Sequence, residues 1–129
     1  HIPGDLPQNV LYLSYVPFSL LLPKVDIFVH PDGIGSLSQA LYSGVPQVIR
    51  PFASDQFDNS NRAVKLGVAK EILPTDYTTS NVQRIISELL QDNVMQQTCK
   101  DISNKLQKND AIKTTCDAIV QKFFHQQGK

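Results

Sequence analysis

Over 129 residues the chain carries twelve basic and twelve acidic side chains and a formal charge of zero. That balance leaves no electrostatic footprint for nucleic acid or an anionic membrane, and no apolar run approaches the ~20 residues of a membrane span. The length makes one domain or part of one, with 41% hydrophobic residues to build a core.

The chain opens on loop chemistry, His1-Ile-Pro-Gly-Asp-Leu-Pro-Gln-Asn9, with no initiator Met. It is therefore expected to be a fragment whose upstream partner is missing. The first residues do not resemble a signal peptide. Val10 to Val16 is a β-rich run stopped by Pro17, and predicts a first strand over 10–16. Ser19 to Leu22 predicts a short helical turn before Pro23. Val25-Asp-Ile-Phe-Val29 predicts a second strand reaching His30, apolar enough to be buried on both faces.

A helix is predicted over Ser36–Tyr42, because Leu37, Ala40 and Leu41 follow i, i+3, i+4 spacing. Ser36 suits its N-cap and Gly44 its stop. Gln47–Ile49 is the third predicted strand, closed by Pro51. Phe57–Leu66 is the next helix, capped by Gly67, and Val68–Leu73 the fourth strand. Beyond Thr79 two helices are predicted, Asn81–Leu106 and Ala111–Phe124, with Ser80 as the first one's cap. Cys99 and Cys116 fall in this part and read as reduced thiols of a cytosolic protein.

Alternating strands and helices imply an α/β fold with a parallel sheet, part of a doubly wound domain. One sheet edge is expected to lie open where earlier strands belong. In such sheets ligands bind outside the carboxyl ends of the strands. Two polar constellations fall there. Gly33-Ile34-Gly35-Ser36 is either a tight strand-to-helix turn or a cradle that lets a diphosphate approach the backbone at a helix N-terminus. Asp55-Gln56 is either an ordinary acidic helix start or a pair that binds sugar hydroxyls, the carboxylate accepting and the amide doing both. Asn59 would support that loop.

Around them, Gln39 reaches a ribose or is a solvated helix residue. Tyr15 stacks on a flat base, with the Val16 backbone reading its edge, or is a core aromatic. His30 at a strand end is more often structural than catalytic. No spacing for a catalytic triad or metal ligands emerges, and no general base can be named.

As a set, these residues resemble the C-terminal donor-binding domain of family 1 nucleotide-sugar glycosyltransferases, of the two-domain GT-B fold. The resemblance is strongest to bacterial UDP-glycosyltransferases and sterol glucosyltransferase-like proteins. It is carried by Gly33, Gly35, Ser36, Gln39, Gly44-Val45-Pro46, Pro51, Asp55-Gln56 and Asn59 in register, and upstream by Leu6-Pro7, Asn9-Val10 and Tyr15-Val16-Pro17-Phe18-Ser19. It implies a Rossmann-like partial donor domain over 1–129, with a strand and helix core at 5–75 and terminal helices at 79–125. It implies that Gly33, Gly35 and Ser36 hold the diphosphate, Gln39 the ribose, Tyr15 and Val16 the base, and Asp55 and Gln56 the sugar. The donor would be a UDP-sugar or TDP-sugar, with no metal and no other cofactor. Activity would be hexose transfer to a hydroxyl of a lipophilic or small acceptor. The acceptor site and base would belong to a missing N-terminal domain or a partner chain, leaving the fragment alone inactive. The implied location is cytoplasmic or membrane-peripheral.

Two positions depart from the family pattern. Pro31 stands where the family has a His that donates to the diphosphate, and Asp32 where it has Gly. A carboxylate ~5 Å from a phosphate charge costs about 3 kcal/mol at an effective dielectric of ~20. A non-catalytic or degenerate donor-domain subunit acting through a partner chain is the alternative these departures raise. A flavodoxin-like signalling or redox module fits the topology but leaves Asp55-Gln56 unexplained.

Overall fold

The structure, a computed structural model, describes residues 4–127, and side chains as far as residue 124. Its elements are α1 (Phe18–Leu21), β1 (Phe28–His30), α2 (Ile34–Ser43), β2 (Gln47–Ile49), α3 (Ser54–Leu66), β3 (Ala69–Glu71), α4 (Thr79–Gln91), α5 (Asn93–Lys108) and α6 (Ala111–Gln127). The strands form one parallel sheet in the order β1-β2-β3. Phe28 pairs with Gln47 and His30 with Ile49, while Gln47 pairs with Ala69 and Ile49 with Glu71. α2 and α3 make the two crossovers, which carries every strand-to-helix turn to the same sheet edge.

The core follows from the pattern. β2 is the central strand and buries all three residues, Gln47, Val48 and Ile49. Leu37 of α2, Ala63 of α3, Val68, Ala69 and Ile72 around β3, and Leu89, Met95 and Cys99 of α4 and α5 close over it. A second cluster of Leu22, Ala40 and Val45 packs with Phe18, Val25 and Phe28. α2 ends at Gly44, where φ is 73°, the left-handed region that glycine enters without strain. A side chain there would also meet Ser103 Cβ at 3.1 Å, because α5 packs on this end of α2. Ser103 Oγ donates to the free carbonyl of Tyr42, and so does Gln107 Nε2, at 3.0 Å.

Several expectations are corrected. Residues 10–16 form no strand: Leu11 and Tyr15 are about 80% exposed, and Val10 N–H turns back to Pro7 O. β-propensity measures fit to a pleated, half-buried surface, and this run has no neighbour to supply one. The sheet therefore has three strands where four were expected. α2 starts at Ile34 with Gly33 as N-cap, so Ser36 lies inside the helix and caps nothing. α3 starts at Ser54, not Phe57, which brings Asp55 and Gln56 into its first turn.

The single helix expected over 81–106 is two. Asp92, at φ −84° and ψ 84°, breaks it and caps α5 by accepting from Met95 N–H at 2.9 Å. Thr78, not Ser80, caps α4, accepting from Asn81 N–H at 3.3 Å. α6 runs to Gln127, and its described side chains are exposed, Ile112, Phe123 and Phe124 included.

Candidate functional site

The turn after β1 is held by a polar relay that starts inside the sheet. Gln47 is a buried polar residue in the central strand and needs a partner. Its Oε1 lies 2.6 Å from His30 Nε2. His30 Nδ1 lies 3.0 Å from the Asp32 backbone nitrogen, which can only donate. His30 Nδ1 is thus the acceptor, and Nε2 carries the proton given to Gln47. Burial lowers the His30 pKa, partly opposed by the Gln47 bond. The ring also stacks on Phe28 at 4.6 Å between centroids. A neutral ring with both nitrogens engaged has no proton to exchange, so His30 is a positioning residue.

What it positions is Asp32, at φ 76°, in the left-handed region that Asp tolerates better than most residues. The Asp32 side chain is fully buried, and neither carboxylate oxygen has a hydrogen-bond partner among the described residues. Its pKa is raised to about 6, by burial first and then by the charges of Glu71 and Asp55. The carboxylate therefore does not project into the space a ligand would use, although its charge stays one residue from Gly33.

Gly33 and Gly35 are exposed, and a Cβ built on either meets nothing within 4 Å. Gly33 is extended at φ −66°, and Gly35 lies in the first turn of α2, so neither backbone requires glycine. What their missing side chains leave is open approach to the unpartnered N–H groups of a ten-residue helix. Ser36 is half-buried in the same turn.

The turn after β2 is closed by its own chemistry. Gln56 Oε1 accepts from Phe52 N–H at 2.7 Å and from Ala53 N–H at 3.1 Å. Its carbonyl is committed to the loop, and only its amide N–H groups are left for another molecule. This revises the expectation that the amide would both donate and accept outward. Asp55 is exposed in the first turn of α3, which the parallel topology sets on the same sheet edge as the glycine turn, and its charge acts on Asp32. Asn59 is half-buried one turn later.

Tyr15, Val16 and Gln39 line one open cleft with Pro17, Phe18 and Ser19. Tyr15 is 82% exposed and so is no core aromatic. Gly33, Gly35, Ser36, Asp55 and Gln56 do not line that cleft. Gln39 lies one helical turn beyond Ser36 on α2 and links the two places along the chain. Two features escaped sequence reasoning. One is the His30–Gln47 pair, signalled only by a glutamine inside a buried strand. The other is Arg50, whose guanidinium lies 4.1 Å from the Phe52 ring centroid and 5.0 Å from that of Tyr77, and which no local pattern announces. Among the described residues, no three His, Cys, Asp or Glu side chains are arranged as metal ligands. No described helix is long and apolar enough to cross a membrane.

Residues 2–125 match the family model of the erythromycin biosynthesis protein CIII-like C-terminal domain. The chain belongs to this family. Its relatives include a sterol 3-beta-glucosyltransferase of Saccharomyces cerevisiae, 34% identical over 89% of this chain and 9% of the yeast protein. Another is the uncharacterised UDP-glucosyltransferase YojK of Bacillus subtilis, 28% identical over 92% of this chain and 29% of its own length. The chain thus spans less than a third of these relatives. Among solved structures, the glycotransferase of kitacinnamycin superposes with a TM-score of 0.84 at 29% identity, over 94% of this chain and 32% of that one. The glycosyltransferase VinC in complex with dTDP gives 0.73 at 29% identity, over 78% and 26%. The fold of this CIII-like domain is accordingly that of part of a GT-B glycosyltransferase.

Proposed function

We propose that the chain is the nucleotide-sugar donor-binding part of a glycosyltransferase that moves a hexose from UDP or TDP to a hydroxyl of a lipophilic or small acceptor. One observation carries this reading. Two glycines that the backbone does not require open the N-terminus of α2 on the sheet edge where Asp55 lies. A diphosphate seated there meets backbone N–H groups and the positive end of the helix. Ser36 adds a hydroxyl. Asp55 accepts from sugar hydroxyls while Gln56 donates its amide N–H groups. Tyr15 and Val16 receive the base, and Gln39 the ribose, in the adjoining cleft.

In this scheme residues 1–129 are a partial donor domain, with its core at 5–75 and terminal helices at 79–125. It supplies positioning and stabilises the leaving diphosphate. The acceptor site and the general base lie in polypeptide outside this chain, and no metal or further cofactor takes part. The yeast relative's name, a sterol glucosyltransferase, supports a lipophilic acceptor. A cytoplasmic or membrane-peripheral location goes with that acceptor.

Calorimetric titration of the intact protein with UDP-glucose and TDP-glucose tests the donor role. Saturable binding by the parent protein that is lost on Gly35→Val is expected. No binding of either donor by a folded protein overturns it. The purified 129-residue chain should turn over no donor, and measurable transfer by it would show that acceptor site and base are here after all.

A further inference from the structure

Asp32 is an unusual residue at this turn. It is fully buried, neither oxygen is satisfied, and it adjoins the open N-terminus of α2. Resting on the diphosphate reading above, we propose that donor binding at this turn is coupled to the uptake of one proton by Asp32.

The groups around the carboxyl are anionic or neutral. Glu71, at the end of β3, and Asp55, in the first turn of α3, both act on it by their negative charge. His30 of β1 accepts its backbone N–H as a neutral ring. α2 contributes no charged side chain. Arg50, just past β2, holds its guanidinium against Phe52 and Tyr77 and forms none of the ion pairs among the described residues. Among the described residues no cation therefore pairs with Asp32. A diphosphate seated beyond Gly33 adds further negative charge next to a carboxyl whose pKa already stands at about 6. Bringing in the donor pushes that pKa higher still, so near neutral pH the bound state holds a proton that the free state lacks. As a neutral acid, Asp32 also gains one hydroxyl donor and loses the cost of an unpaired buried charge.

The test is UDP-glucose affinity of the intact protein between pH 5 and 8. UDP-glucose is the right probe because its diphosphate, esterified at both ends, does not titrate in that window. Affinity should be flat below about pH 6 and weaken about tenfold per pH unit above it. Calorimetry at pH 7 in buffers of differing ionisation heat should return close to one proton taken up per ligand. Asp32→Asn should hold the low-pH affinity throughout, and Asp32→Gly, which suits φ 76°, should do the same if the Asn variant folds poorly. An unchanged slope in both variants, or zero proton uptake in the wild type, overturns the coupling while leaving the donor site standing. Failure of folded wild type and variants alike to bind at any pH overturns the donor site itself.

Discussion

Both crossings from strand to helix at the carboxyl edge of the sheet carry a proline within two residues of the strand, Pro31 after β1 and Pro51 after β2, and each delivers a helix N-terminus. They differ in whether a side chain closes the loop that leads into the helix. After β2 the N–H groups of Phe52 and Ala53, at the entrance of α3, are taken by Gln56, which turns back onto them. After β1 no side chain caps α2, and two glycines clear the approach. That turn is shaped from beneath, by Gln47 and His30 acting on the Asp32 backbone. One turn is finished within the protein and presents side chains outward. The other is left incomplete at its surface and made rigid from its interior. A turn left open at its surface can be rigid only if its support comes from below.

The largest effect that would break this contrast is at Asp32. Its pKa rises from 3.8 to about 6 on folding, so the folded state binds the extra proton between those values. Stability is then highest below pH ~4 as far as this group is concerned. It falls as pH rises toward 6 and stays low above, by up to about 3 kcal/mol. Asp32→Asn should raise stability at pH 7 by up to about that amount and remove this segment of the pH profile. Denaturant melts at pH 5 and 7 measure both, and a variant no more stable than wild type at pH 7 would mean that Asp32 finds a partner. Next in size is Gly35→Ala. The added methyl meets open space and suits a helix, so the melting temperature should hold or rise by the equivalent of about 0.5–1 kcal/mol. Crowding of the ligand should nonetheless weaken UDP-glucose binding roughly tenfold to a hundredfold. Equal affinities would show that no ligand approaches the backbone here.

Much of this architecture was legible in the sequence, for local reasons. The strand at 47–49 and the stops at Gly44 and Gly67 rest on periodicity and on glycine's access to positive φ, both properties of a few consecutive residues. The glycine turn and Asp55-Gln56 were placed on one edge because parallel topology leaves no other arrangement. What was missed depends on distant partners. Val10 to Val16 has strand composition without a strand to pair with. The break at Asp92 comes from a side chain capping the next helix in the middle of an otherwise helical run. For Asp32 the neighbouring residues left two readings, a carboxylate turned away or a charge that weakens donor binding, whereas its burial involves a relay through Gln47, fifteen residues on, that bears on the turn. Gln56 was open to two readings, a helix start or a sugar-binding amide, because nothing in its neighbours shows that its carbonyl is already taken.

Gln56 carries the smallest effect and the sharpest separation of roles. Its Oε1 serves the loop, and only its Nε2 hydrogens remain for another molecule, in the proposed scheme the sugar. Gln56→Ala removes both functions. It should cost about 1 kcal/mol of stability, the usual value of a helix-start side-chain bond, and should also weaken donor binding. Gln56→Glu keeps an acceptor for Phe52 and Ala53 and places a negative charge in the first turn of α3, where the helix dipole favours it. It should therefore melt at or above the wild-type temperature. It cannot donate a hydrogen bond, so UDP-glucose affinity should fall severalfold while affinity for UDP, which lacks the sugar, stays within twofold. A Glu variant that binds UDP-glucose like wild type would confine Gln56 to its loop and leave sugar recognition to Asp55. If the Glu variant instead lost stability as the Ala variant does, the carbonyl bonds to Phe52 and Ala53 would not be what closes this turn, and its contrast with the turn after β1 would fail at its better-defined end.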